Sequence, residues 1–321
     1  MGDSNTVDKN KPTPLPWEVA KSFKLQIVKD CCNWSFSEER QPDMAMTLII
    51  HGVTMSPVLN VVLFGTTELG TPFHFQGILK LYDRRFGEHL RTRHWKHVPH
   101  TAAREADFQS YVRQGKMDRF LHRKEEDSYD NDIEDSDDGV GGGSNGHGGE
   151  EEEESLERRE EEQEQGTEKA KNSARVRTTS VSDDERSESE RNAEFEARVW
   201  EDCERSFKCE TEAYERLKDL QGKLIPRMFA HVRLVMPFPD TPRDLLESPE
   251  TARFFEVKGV ILDFIRGYPL SQLLTDHRAP QNVEDWQDIV QAAVDAVHET
   301  DSRGVLNRDC SPRNVVVDFR T

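Results

Sequence analysis

The chain has 321 residues, enough for one large domain or two small ones, and a formal net charge of −19. Between Lys124 and Glu190, 25 Asp or Glu face 8 Lys or Arg, so that segment carries −17 and the remainder only −2. A near-neutral folded part lacks the basic face that nucleic acid requires, and five cysteines without a CxxC pair exclude a disulfide framework or a zinc site.

Residues 1–16 are polar and Pro-rich and read as a loose tail. From Trp17 to about Phe86 the pattern is strand-like: "MTLIIHGV", "NVVLFGTT" and "FHFQGILKLYD" are rich in β-branched and aromatic residues, with turn signals at "SP" and "ELGTP". A helix is predicted over 101–114, with Thr101 as N-cap and Gly115 as its stop. The acidic stretch 124–190 is low-complexity and Gly-rich and cannot bury enough apolar surface to offset its chain entropy, so disorder is expected there. Within it, "SVSDDERSESE" offers Ser182 and Ser187, each followed by acidic residues of the kind acidophilic kinases prefer.

Order is predicted to resume near Phe195. Phe195, Val199, Cys203, Phe207, Tyr214 and Leu217 recur near helical spacing, and Gly222 closes the helix. "KLIPRMFAHVRLVMPF" and "FFEVKGVILDFI" then read as strands. "VEDWQDIVQAAVDAVHETDSRG" is the clearest helix, with Trp286, Ile289, Val290, Ala293, Val294 and Val297 on one stripe.

Four stretches carry chemistry. "NRDCSPRNVVV" matches H-R-D-L-x-x-x-N except that Asn307 stands for the His and Cys310 for the Leu. A turn whose Asp and Asn cap backbone groups would use the same residues. "GILKLYDRRF" places Lys80 inside an apolar strand, where a charge is costly unless paired; an edge lysine in solvent is the alternative. "KCETEAYERL" supplies Glu210 and Glu212 as partners. Glu210 is preferred because it shares a side with Phe207, Tyr214 and Leu217, although helical glutamates are usually solvated. In "GVILDFIRGYPLSQLL", an apolar strand runs into an acidic–aromatic–apolar triplet, a Gly and a short helix.

Lysine strand, glutamate helix, hinge-like segment and catalytic-type loop follow one another in the order found in the protein kinase-like superfamily. From about Met46 to Thr321 the chain resembles it. It is similar to a divergent branch abundant in filamentous fungi, through "LKLYDRRF", "EAYERLKDLQGKLIPR" and "SPRNVVV". The resemblance implies an α+β, bilobal protein kinase-like fold. The N-lobe, an antiparallel sheet plus a helix of the αC type, spans 17–123 and 191–265 around the 124–190 insert; a partial helical C-lobe spans 266–321. It implies ATP and Mg²⁺ as cofactors, with Lys80 gripping phosphates and clamped by Glu210. Asp263 C=O and Ile265 N–H would meet the adenine edge, and Leu262 would guard the pocket behind. Asp309 would be the base that takes a hydroxyl proton, and Asn314 a metal ligand.

Two departures accompany the resemblance. "GTTELG" has Gly65 and Gly70 but not G-x-G-x-x-G, and a hairpin turn explains it equally well. Asp318-Phe319-Arg320 imitates D-F-G, yet only Val315–Val317 separate Asn314 from Asp318. A strand, turn and return strand need on the order of 10 residues, so Asp318 is expected at the turn after the first strand. As written, the chain is expected to be a C-terminally truncated and inactive ATP-dependent phosphotransferase acting on a protein or small-molecule hydroxyl. The alternatives are a pseudokinase or acidic interaction module without catalysis, and an acidic chaperone of basic proteins. No apolar run reaches the roughly 20 residues of a membrane span, and the expected compartment is intracellular, cytoplasmic or nuclear.

Overall fold

The computed structural model describes residues 9–13, 22–31, 44–49, 58–66, 72–87, 90–93, 96–131, 186–235 and 241–319. The chain divides into a unit of Met1–Phe120 with Glu188–Thr321 and a second unit, Leu121–Ser187. The described part of the second unit is helical up to Asn131.

The first unit is mixed α+β. Its strands are β1 (Ser22–Asp30), β2 (Met44–Ile49), β3 (Val58–Thr66), β4 (Pro72–Tyr82), β5 (Thr92–Arg93) and β6 (Lys96–His97). Helices α1 (Ala102–Arg113), α2 (Lys116–Asn131) and α3 (Glu188–Arg216) follow, then β7 (Met228–Val235). The short α4 (Arg243–Glu247) and α5 (Pro249–Ala252) precede β8 (Val257–Asp263) and β9 (Gly267–Pro269), and α6 (Val283–Asp301) and β10 (Val316–Asp318) come last. Six strands close into an antiparallel barrel in the order β1-β2-β3-β4-β8-β7.

The barrel follows from period-two alternation. Leu59, Val61 and Leu63 of β3, Leu79 and Leu81 of β4, and Val232 and Leu234 of β7 turn inward. They meet Leu25 and Ile27 of β1, a strand that the sequence marks only as part of a generally strand-like stretch. Closure gives both edges a partner: β1 bonds to β2 on one side and to β7, some 200 residues further on, on the other.

The ends of α1 agree with the caps in the sequence: Thr101 accepts a hydrogen bond from Arg104 N, and Gly115 adopts a φ of 63°, a left-handed value that suits glycine. Gly222 does not close α3, which ends at Arg216; a 3-10 turn over Lys218–Leu220 follows, and Gly222, with a φ of 74°, lies beyond it. Other boundaries differ from expectation. The acidic stretch 124–190 is helical at both described ends, since α2 reaches Asn131 and α3 begins at Glu188; residues 132–185, with Ser182, lie outside the described residues. In the stretch 223–238 the strand starts at Met228, after the bend at Gly222 and Pro226, and is described to Val235; residues 236–240 lie outside the described residues. Gly65 belongs to β3 itself, in register with Phe73 of β4, and Gly70 lies outside the described residues.

Beyond β8, Phe264–Arg266 belong to no strand before β9 pairs antiparallel with β10. Trp286 and Ile289 of α6 pack, as Val317 of β10 does, against the buried cluster of Tyr268, Leu273 and Ala279, while Val290 and Val294 of the same stripe remain exposed. Among the described residues no helix is long and apolar enough to cross a membrane.

Candidate active site

Lys80 sits near the end of β4, a central barrel strand flanked by β3 and β8. Its ammonium donates to Glu210 Oε2 on α3, across 130 residues of sequence. Tyr82, two residues along and on the same face of β4, donates its hydroxyl to the same oxygen. The Tyr82 ring also lies 5.5 Å from the Lys80 ammonium, within cation–π range. Burial raises the Tyr82 pKa, and the neighbouring Glu210 charge raises it further, so the phenol stays a donor.

Helix α3 reaches Lys80 because its apolar stripe docks here. Phe207 and Tyr214 pack on Met228, Val260 and Leu262 beside Ile78. Glu210 lies between them on that stripe and is turned inward. Glu212 points away, 56% exposed, with Lys208 4.0 Å from it. Burial, then the Glu210 charge, also raises the Tyr214 pKa.

The hinge-like residues separate in environment. Leu262 is buried against α3, opposite Ile78 of β4. Asp263 ends β8, with its N–H donating to Arg227 O. Ile265 lies in the link between β8 and β9 and lines a cleft with Asn307, Asn314, Asp318 and the Ala293–Val297 side of α6. Lys80, Glu210 and Asp309 lie outside that lining.

The loop 307–314 is tied around the backbone of Asp309. Asn307 Oδ1 accepts from Asp309 N at 3.0 Å, and Asn314 Nδ2 donates to Asp309 O at 2.9 Å. Asn307 thus braces the loop from the position where the matched pattern has histidine. The Asp309 carboxylate is exposed and accepts from Arg313 Nη2 at 3.0 Å. Asp318 is the last residue of β10 rather than the turn expected of it, because pairing with Gly267 extends the strand; Phe319 makes the turn.

Comparison with protein-family models, curated proteins and solved structures found no match.

The donor chemistry bears on which cofactor fits. With its Nδ2 committed to Asp309 O, Asn314 presents Oδ1, a hard oxygen donor, and the Asp318 carboxylate lines the same cleft. Among the described residues no group of three or more His, Cys, Asp or Glu could enclose a metal. Mg²⁺ needs no such cage: it binds through one or two side-chain oxygens, phosphates and water, and these residues fit that mode.

Sequence reasoning passed over Tyr82, whose signal is its place two residues after Lys80. It also passed over a buried ionic cluster that holds α3. Glu196 of α3, fully buried, accepts from Arg84 Nη1 at 3.0 Å, Arg91 Nη1 at 2.9 Å and Arg91 Nη2 at 2.5 Å. Arg84 Nη2 also reaches Glu105 of α1 at 2.5 Å, and His100 bridges Glu105 and Thr13. Burial opposes ionisation of Glu196, but the Arg91 hydrogen bonds and the Arg91 and Arg84 charges outweigh it and hold its pKa below the usual range.

Proposed function

We propose that this chain is the ATP-binding part of a protein kinase-like phosphotransferase that moves the γ-phosphoryl group of ATP to a hydroxyl. One observation carries the reading: a lysine on the outer face of an antiparallel barrel strand, opposite the side of Leu79 and Leu81, is paired with a glutamate on a helix that returns from 130 residues away. A charge pair between such distant elements needs a reason, and positioning a lysine for phosphate supplies one.

Each residue has a task in this reading. Glu210 and Tyr82 hold the Lys80 ammonium in place so that it can meet phosphate oxygens without first losing rotamer freedom. Ile265 N–H, in the link after β8, and Asp263 C=O, at the end of β8, would meet the adenine edge, with Leu262 closing the apolar back of the site. Asp309 accepts the hydroxyl proton, its backbone held from both sides by Asn307 and Asn314. Asn314 Oδ1 would hold the cation. Bound Mg²⁺ would neutralise charge developing on the phosphates. The α+β sheet with its lysine and glutamate elements supports the bilobal kinase-like arrangement as part of the same proposal.

A second reading, nucleotide binding without transfer, is favoured by the Arg313–Asp309 pair, which engages the carboxylate that would act as base. ATP with Mg²⁺ is expected to raise the melting temperature of the wild type, and Lys80→Met to remove that rise while the protein stays folded. Turnover measured with labelled ATP decides between the readings: loss of about 10²-fold or more in Asp309→Asn supports transfer. Stabilisation by ATP with no turnover supports binding alone. Absence of any ATP effect on the wild type would refute both.

A further inference from the structure

Helix α3 is held to the lysine strand at two places. Lys80 and Tyr82 take Glu210 near one end of the helix, and Arg84, in the turn that continues β4, takes Glu196 near the other. Fourteen residues separate Glu196 from Glu210, close to four helical turns, so both carboxylates project from nearly the same side. Cys203 lies midway on that side and is buried too. The N-terminal anchor is much the more enclosed of the two. Glu196 is 0% and Arg91 1% exposed, against 20% for Glu210 and 28% for Lys80.

The anchor also has few ways to rearrange. Arg91 spends Nε on Val98 O, Nη1 on Arg84 O and Glu196, and Nη2 on Glu196, so its fork is engaged on all sides. Arg84 is shared between Glu196 and Glu105, which ties α1 into the same cluster, and its guanidinium lies 4.2 Å from the Phe108 ring centre. A helix rotated or slid by one residue would bury Glu196 without its arginines, and that outcome is strongly disfavoured.

We propose that Glu196, gripped by Arg84 and Arg91, is a positioning residue that sets the rotation and height of α3 so that Glu210 meets Lys80. The consequence for nucleotide binding rests on the function proposed above; the positioning of the pair does not.

The test is acylation of Lys80 by an amine-reactive ester, followed by mass spectrometry and normalised to Lys223, an exposed lysine in the turn after α3. Four full-length proteins are compared: wild type, Glu196→Gln, Glu210→Gln and the double variant. Each single change is expected to raise Lys80 labelling about fivefold, the scale of a partly exposed ion pair, and the double no further. A role confined to general stability would instead leave folded Glu196→Gln at the wild-type rate, or add its effect to that of Glu210→Gln; either result overturns the proposal. Should Glu196→Gln fail to fold by circular dichroism, Arg91→Lys decides the question, since it keeps the charge but loses the fork. Raised, non-additive Lys80 labelling in Arg91→Lys upholds the proposal, and wild-type labelling defeats it. ATP titration of the same proteins separates the two claims. Coupled labelling without any ATP effect would sink the nucleotide reading and leave the positioning role standing.

Discussion

The Glu210 carboxylate takes a donor from each of two side chains on one face of β4, the Lys80 ammonium and the Tyr82 hydroxyl. Hydrogen bonds to ionised groups contribute about 1.5–3 kcal/mol, and partial exposure moves this one to the low end. Tyr82→Phe is therefore expected to lower the unfolding free energy by about 1–2 kcal/mol in urea titrations. Glu212→Gln should change it by less than about 0.5 kcal/mol, because its carboxylate faces solvent, with Lys208 4.0 Å away. Equal losses from Tyr82→Phe and Glu212→Gln would mean that α3 presents the other glutamate to the sheet. The choice between Glu210 and Glu212 was legible in the sequence through the positions of Phe207 and Tyr214. Tyr82 was not, because a tyrosine in an apolar strand looks like core until its neighbour across the gap is known.

At the scale of elements, α3 draws its stability from two kinds of contact, an apolar stripe and a buried ionic cluster. Breaking a buried pair by removing one partner costs far more than removing a surface pair, because the remaining charge stays desolvated. Glu196→Gln leaves Arg91 and Arg84 partly uncompensated, and a loss of about 3–5 kcal/mol is expected from chemical denaturation. Arg205, which reaches Glu201 and Asp202 on the exposed side of the same helix, should lose less than about 1 kcal/mol on change to Ala. Comparable costs at Glu196 and Arg205 would show that the cluster is more hydrated than its geometry implies. Helix α6 shows the limit of pattern reading. Its stripe of Trp286, Ile289 and Val290 was plain, but only the fold reveals that Trp286 and Ile289 pack against the cluster of Tyr268, Leu273 and Ala279 while Val290 stays exposed.

For the whole molecule, the cluster makes stability depend on acid. Burial lowers the His100 pKa below its usual value, and the hydrogen bond to Glu105 opposes this only in part. The folded state therefore prefers the neutral ring. That contribution is complete above the unfolded value of about 6.5 and is lost as pH falls through the folded value. Glu196 and Glu105 are also depressed, despite burial, by Arg91 and Arg84. Their contribution is complete above about 4.3 and is lost as pH falls through their folded values. The melting temperature should be flat near neutrality, decline gently below about pH 6.5 and then fall more steeply below about 4.3. His100→Gln should shrink the upper limb, to which His231, its pKa also lowered by burial, contributes the remainder, and a melting temperature that rises on acidification from pH 7 to 5 would contradict the assignment.

Local rules in the sequence determined the strands around "NVVLFGTT" and "FHFQGILKLYD", the caps at Thr101 and Gly115, the α6 periodicity and the order of lysine, glutamate and loop motifs. Each depends on residues a few positions apart, which a linear reading can see. Tertiary structure decided the rest, since it depends on pairings between distant residues: β1 closing the barrel between β2 and β7, Lys80 meeting Glu210, and Asp318 extending a strand because Gly267 lies opposite. The buried cluster belongs to this second class. Arg84, Arg91, Glu105 and Glu196 look like surface charges in a chain that is one-third charged. Only their convergence from three elements removes water, and that removal makes their pairing strong enough to hold α3 in place.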